Sequence, residues 1–183
     1  MVTIRQEKPS DAAAREVLLD LAYGPVRFQK PSQRLRAGRA PARGLSFVAV
    51  AEGRVIGTVR LWDVSAGAES PALLLGPLAV DPGHRCRGVG SALMRHALRM
   101  AARRGHRAVL LAGEAAYYSR FGFSAERTGR LWLPGLTDRG RLLGLELQAG
   151  ALDGVRGTIR VPGKRPRKSL AAVLGALPEP QAG

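Results

Sequence analysis

Apolar positions along the chain change their spacing from segment to segment, and each spacing predicts an element. Val2 to Ile4 reads as a short first strand. Ser10-Asp11 offers an N-cap to a helix over Ala12 to Leu21, with Val17, Leu18 and Leu21 on one face, ended by Gly24-Pro25. Residues 26–44 are basic and broken by Pro31, Gly38, Pro41 and Gly44, which predicts a loop with one short helix near Gln33 to Ala37. Ser46 to Ala51 and Val55 to Trp62 read as the arms of a hairpin turned at Glu52-Gly53-Arg54. Leu73 to Val80 (LLLGPLAV) is apolar throughout, the pattern of a strand buried on both faces. Pro77 cannot donate to a ladder, so it predicts a bulge or a splayed edge.

Helical spacing returns from Ser91 to about Arg104. Leu93, Ala97 and Ala101 share one face, and Arg95, Arg99 and Arg103 share the other. Gly105 signals its end. Ala108 to Leu111 reads as a buried strand, Ala115 to Arg120 as a short helix and Leu142 to Leu147 as a last strand. Hairpins first and strand–helix–strand later predict an α/β fold: a mixed sheet with helices on both faces. From Ala149 onward Gly, Pro and basic residues dominate. The expected division is a domain over 1–150 and a loosely docked or flexible basic tail over 151–183, with at most a short helix at Leu170 to Leu174.

Composition narrows the function classes. With 183 residues and 45% apolar content, the chain suits one globular domain. No apolar stretch is long enough to span a membrane, and Met1 to Ser10 lacks the apolar core of a signal peptide. The one cysteine, Cys86, excludes an internal disulfide, and a cytoplasmic location is expected. Net charge is +15, from 29 basic and 14 acidic residues, a field that attracts anions. Charge clusters at Arg27 to Arg43, at Arg85 to Arg107 and at Arg156 to Lys168. No aromatic residue interleaves with the last group, which argues against a single-strand nucleic-acid binder.

The segment richest in chemistry is Arg85-Cys86-Arg87-Gly88-Val89-Gly90, between the apolar strand and the helix that starts at Ser91. Two glycines let the backbone approach a ligand, while free N–H groups and the helix dipole favour an anion such as a pyrophosphate. The glycines are too few for a dinucleotide fingerprint, and no Gly-Lys-Ser/Thr makes it a P-loop. By itself the turn is an anion site with several eligible ligands. His84, His96 and His106 show no metal-ligand spacing, so no metal is expected.

The stretch Leu78-Ala79-Val80-Asp81-Pro82-Gly83-His84-Arg85-Cys86-Arg87-Gly88-Val89-Gly90-Ser91 resembles motif A of the GNAT superfamily of acyl-CoA-dependent N-acetyltransferases. Tyr117-Tyr118-Ser119-Arg120-Phe121-Gly122-Phe123 resembles the family's second motif, and the likeness covers roughly residues 1–150. The YYxRFGF form resembles a bacterial subgroup of predicted N-acetyltransferases. The resemblance implies a mostly antiparallel central sheet splayed at the cofactor site. It also implies acetyl-CoA or coenzyme A as cosubstrate, with no metal. Its pantetheine arm would pair with backbone at Leu78, Ala79 and Val80. Its pyrophosphate would lie on the amides of Cys86, Arg87, Gly88, Val89, Gly90 and Ser91, near the cations of Arg85 and Arg87.

By the same resemblance Tyr118 is the general acid toward the departing thiolate, and the Val80 N–H polarises the thioester carbonyl. The general base stays open: Glu114, Glu69 and His84 are the candidates, with Glu114 nearest the expected cleft. Cys86 is read as a bystander whose amide matters, and Phe121 and Phe123 as core. The expected reaction is direct acetyl transfer to a primary amine in a ternary complex. Two rivals are a coenzyme A-binding sensor without turnover and a basic nucleic-acid-binding module. The acceptor is a small-molecule or peptide amine. Arginine-rich loops at 24–44 and 127–141 suggest acidic character near that amine. Homodimers are common in the family.

Overall fold

The computed structural model describes residues 1–163. In chain order the elements are β1 (Val2–Gln6), α1 (Ala12–Tyr23), β2 (Ser46–Ala51), β3 (Arg54–Ala66), β4 (Ser70–Val80), α2 (Val89–Arg103), β5 (Ala108–Ala112), α3 (Ala115–Tyr118), β6 (Leu131–Trp132), β7 (Leu142–Glu146) and β8 (Gly157–Thr158). Two 3-10 turns, Pro25–Phe28 and Pro31–Leu35, fill the loop between α1 and β2. Six strands form one sheet in the order β1-β2-β3-β4-β5-β7. Every pairing in it is antiparallel except β4 with β5.

The predicted hairpin turns at Glu52 and Gly53, with φ of 50° and 76°, the two consecutive positive angles that a tight right-twisted hairpin needs. β3 runs on to Ala66 and pairs with β4 from Ser70, a longer hairpin than the apolar pattern ending at Trp62 predicts. At its far end Val64 and Ala66 are buried in a core with Leu131, Leu152 and Ile159, which keeps the hairpin paired there.

The unbroken apolarity of β4 and β5 has the expected cause. Leu73, Leu75, Val109 and Leu111 face α2, while Leu74 and Leu110 face the opposite layer. Against the first face α2 lays Val89, Leu93, Met94, Ala97 and Ala101, and leaves Arg95, Arg99 and Arg103 in water. Burying Leu93 and Met94 alone contributes about 1.5–3 kcal/mol each. Gly57 of β3 brings the helix close, since a Cβ there would lie 2.8 Å from Leu93 Cδ1. On the opposite face Leu18 and Leu19 of α1 cover Ala79.

Three expectations are corrected. Asp11 does not cap α1 with its side chain; it accepts from the Lys8 N–H at 2.7 Å and pairs with Arg5 at 2.7 Å. Helix α2 begins at Val89 rather than Ser91, because Gly88, at φ 79°, serves as its N-cap. The segment after 150 is not loose throughout. Leu152 and Ile159 are buried with Trp62, Val64, Leu131 and Leu133, and β8 pairs with β6. Gly67 has no room for a Cβ because the Arg156 carbonyl would lie 2.1 Å from it. The helix expected at Leu170 to Leu174 falls outside the described residues.

Candidate functional site

The site begins where β4 leaves β5. The two strands pair at Leu73–Val109 and Leu74–Leu110, and among the described residues the stretch Leu75 to Val80 has no strand partner on that side. Its other side stays on β3, but with a register shift between Val59 and Leu61. That shift lies opposite Gly76-Pro77, as Pro77 predicts: proline supplies no N–H, and Gly76 takes φ 123°. The indole of buried Trp62 donates to the Gly76 carbonyl at 2.6 Å and holds the bulge. Beyond it, Leu78, Ala79 and Val80 form one wall of a wedge, and the Leu78 carbonyl accepts from the Tyr23 hydroxyl.

The wedge opens at one end onto the glycine turn. The Asp81 N–H closes β4 onto the Ile56 carbonyl at 2.8 Å, and its carboxylate accepts from Gly83 N–H at 3.0 Å and from His84 Nδ1 at 2.9 Å. The His84 bond, more than any other contact, holds the Asp81 carboxyl below its ordinary range. Cys86 then takes φ 59°, a left-handed backbone uncommon outside glycine and concentrated at ligand sites. The first bond inside α2 runs from the Ala92 N–H to the Gly88 carbonyl at 2.9 Å. Among the described residues, no N–H from Cys86 to Ser91 donates to a backbone carbonyl or a side chain. Six donors at the positive end of a 15-residue helix are an anion cradle.

A cleft lies over that cradle, walled by Val80, His84, Arg85, Gly90, Tyr117 and Arg120. Gly90 leaves room that a side chain would fill, since a Cβ there would stand 3.1 Å from the Tyr117 hydroxyl. Arg120 stacks 4.8 Å above the Tyr117 ring. Arg85 and Arg87 are exposed, as is Cys86.

Tyr118 stands in the wedge itself, beside Leu75 to Leu78 and Ala112. Its ring meets Tyr117 edge-on at 4.9 Å and Phe123 at 6.1 Å. Burial pushes its phenol above the ordinary tyrosine range, and the neighbouring Tyr23 and Tyr117 add to the shift. The two adjacent tyrosines of the motif therefore line two different spaces, Tyr117 the cradle and Tyr118 the wedge.

Residues 14–123, the stretch that contains both the cradle and the wedge, match the model of the acetyltransferase (GNAT) family. The chain belongs to the GNAT acetyltransferase family. It is 32% identical over 159 residues to the uncharacterized N-acetyltransferase YhbS of Escherichia coli K12, covering 85% of this chain and 93% of YhbS. The crystal structure of YhbS in complex with CoA superposes with a TM-score of 0.75 at 30% identity, covering 87% of this chain and 89% of YhbS. A GNAT family acetyltransferase of Brucella melitensis in complex with acetyl-CoA gives a TM-score of 0.68 at 28% identity, covering 89% of this chain and 97% of that one.

Within this GNAT domain the candidate bases are placed apart. Glu114 sits at the end of β5 as the N-cap of α3, but its exposed carboxylate pairs with Arg141 at 2.9 Å. Glu69 lies in the β3–β4 turn, at the opposite end of β4 from Val80. His84 is held by Asp81. Among the described residues no group of three or more His, Cys, Asp or Glu could hold a metal ion, and no helix is long and apolar enough to cross a membrane.

The GNAT wedge also contains residues that the sequence reading did not single out one by one. A cleft there is roofed by the α1–β2 loop, which contributes Lys30, Ser32, Gln33 and Arg36, and by Tyr23 of α1. Only the arginine density of residues 24–44 pointed there. Arg36 is 8% exposed. Burial lowers its guanidinium to about 10. The Lys30 ammonium sits 3.8 Å from the centre of the Tyr23 ring.

Proposed function

We propose that this chain is an acetyl-CoA-dependent N-acetyltransferase that moves an acetyl group to a primary amine by direct transfer in a ternary complex. The observation that carries the reading is the continuity of the unpaired edge of β4 with the six free amides at the start of α2. A pyrophosphate fits the amides of Cys86, Arg87, Gly88, Val89, Gly90 and Ser91, with Arg85 and Arg87 as nearby cations. An amide-bearing pantetheine arm fits the backbone of Leu78, Ala79 and Val80, which among the described residues has no strand partner on that side.

When bound, acetyl-CoA supplies the activated acetyl group and a thiolate leaving group. In this reading the Val80 N–H donates to the oxygen that gains charge during attack by the amine. Tyr118 donates its phenolic proton toward the leaving sulfur. Its buried phenol stays protonated at neutral pH, which is the state an acid requires. Glu114 is the candidate for accepting the amine proton, directly or through water, once Arg141 releases it. A cytoplasmic location accords with the single, exposed cysteine.

The test is calorimetry and thermal denaturation of the full chain with acetyl-CoA and coenzyme A, followed by thiol release with a panel of amines. Binding of both is expected to raise the Tm. Tyr118→Phe is expected to lower kcat roughly 100-fold, with acetyl-CoA binding retained. Absence of binding overturns the reading. Binding without thiol release for any amine would point instead to a coenzyme A sensor.

A further inference from the structure

Among the described residues, one cation lining the wedge has no counter-charge. Arg36 comes from the 3-10 turn Pro31–Leu35 and its C-cap, and its side chain reaches under the loop toward Gly76 of β4. Only 8% of the residue is exposed. One terminal nitrogen donates to Ser32 Oγ at 2.9 Å, and the buried Nε has no acceptor at all among the described residues. Among the described residues no carboxylate lies within ion-pair distance of Arg36 or of Lys30. Arg27, the third basic residue on this cleft, is already neutralised by Glu16 at 2.7 Å and Asp20 at 2.8 Å. Among the described residues the cleft has no acidic lining residue.

A buried guanidinium with an unsatisfied donor is costly unless something pairs with it. Among the described residues nothing pairs with the Nε, and Arg36 lines a cleft that also contains Tyr118. A planar fork of N–H groups selects carboxylate and phosphate over neutral oxygen, because both N–H bonds can be met at once by an anion.

We propose that this cleft is the acceptor subsite and that it takes amines carrying a carboxylate or phosphate, with Arg36 binding the anion and Lys30 supporting it. This rests on the N-acetyltransferase reading given above. The charges make the subsite selective. Arg36 and Lys30 attract an anionic acceptor and repel polycationic ones such as polyamines or aminoglycosides. They also favour loss of a proton from the acceptor's ammonium group, which reduces the demand on a dedicated base.

The experiment uses the full chain with acetyl-CoA and matched acceptor pairs: glycine against glycinamide, and O-phosphoethanolamine against ethanolamine. The anionic member of at least one pair is expected to react with a kcat/KM higher by roughly 30-fold or more. Which pair shows the larger ratio distinguishes carboxylate from phosphate. Arg36→Gln is expected to collapse that ratio toward one through KM for the amine, without raising KM for acetyl-CoA. Arg36→Lys is expected to restore part of it.

Ratios near one in both pairs overturn the proposal, as does an Arg36→Gln effect that falls on acetyl-CoA instead. A second readout needs no turnover and covers an Arg36→Gln chain of lower stability. Glycine and O-phosphoethanolamine, titrated onto the coenzyme A-saturated protein, are expected to raise the Tm of the wild type and not of Arg36→Gln. Equal shifts, or none, also overturn it. Failure of acetyl-CoA to bind at all would count against the enzyme reading, whereas binding with transfer to neutral or cationic amines would count against the subsite alone.

Discussion

Gly113 and the ring of Tyr118 compete for one space: a Cβ at residue 113 would lie 2.3 Å from Tyr118 Cε2. The backbone of Gly113 is not in the left-handed region, so glycine stands there for room and not for conformation. Its N–H is held by the Arg141 carbonyl at 2.9 Å, so the strand end cannot easily retreat. Gly113→Ala is therefore expected to turn the phenol out of the wedge. Overpacking of this kind costs about 1–3 kcal/mol, a visible but tolerable drop in Tm. The loss of kcat is expected to match that of Tyr118→Phe, and the double variant to be no worse than either alone. Additive losses would show that Gly113 acts elsewhere.

The glycine turn and the Pro77 bulge were legible because their causes are local. A missing N–H, a short run of glycines and a helical apolar period can each be read within a few residues. The two-residue difference at the start of α2 has a local cause too: Gly88, read as part of the bend, is also the left-handed cap of the helix, so Ser91 lies inside the first turn. Tyr23 and Arg36 were not legible as individuals. Tyr23 meets Leu78 across 55 residues of chain, and only the folding of an irregular loop onto β4 makes a site residue of either. Leu152 and Ile159 were hidden by their surroundings. Single apolar residues among Gly, Arg and Asp carry no periodicity, and their burial is decided by the sheet face they cover.

The raised phenol of Tyr118 makes a prediction about pH. Its acid form persists beyond the ordinary tyrosine value of about 10, because burial disfavours the phenolate. As a proton donor it should then impose no falling limb on the activity profile below that pH. The profile of kcat is expected to rise with pH as the acceptor loses its proton, and to level off without descending up to about pH 10. Measurement of thiol release across this range checks it. A descending limb near neutrality in the wild type, absent from Tyr118→Phe, would contradict the assignment.

Asp11 links the first strand to α1 and gives acid stability a specific contributor. Its carboxyl is lowered to about 2, first by the hydrogen bond from Arg5 and further by the Lys8 N–H. A depressed folded-state value means that the carboxylate stabilises the fold above its ordinary value near 4. That contribution is lost as the pH falls from about 4 through about 2. Because Arg5 is partly solvated, the pair is worth about 1 kcal/mol after screening. Asp11→Asn is expected to have a lower Tm than wild type at pH 7, with the two curves converging toward pH 2. A difference that persisted unchanged at pH 2 would assign the loss to shape and not to charge.

Ile159 tests whether the chain beyond residue 150 is structural. It is 1% exposed and packs with Trp62, Val64 and Leu131, while its N–H donates to the Trp132 carbonyl at 2.8 Å. Next to it Arg160 exchanges a pair of 2.9 Å hydrogen bonds with Ser65, which ties the segment to the end of β3. Ile159→Ala removes buried methyl groups from a site that cannot collapse, because the sheet face behind it is fixed by β3 and β4. The expected loss is about 2–5 kcal/mol, a large share of the roughly 5–15 kcal/mol that keeps a domain folded. Val17→Ala, at a residue 59% exposed on α1, is the control and should stay within about 0.5 kcal/mol of wild type. Urea unfolding of the two variants measures both values. If Ile159→Ala behaves like Val17→Ala, the segment covers the sheet without stabilising it, and the domain ends near residue 150. If it falls in the expected range, the bulge-holding Trp62 shares its core with the C-terminal segment, and loss of that segment should weaken the wedge as well as the fold.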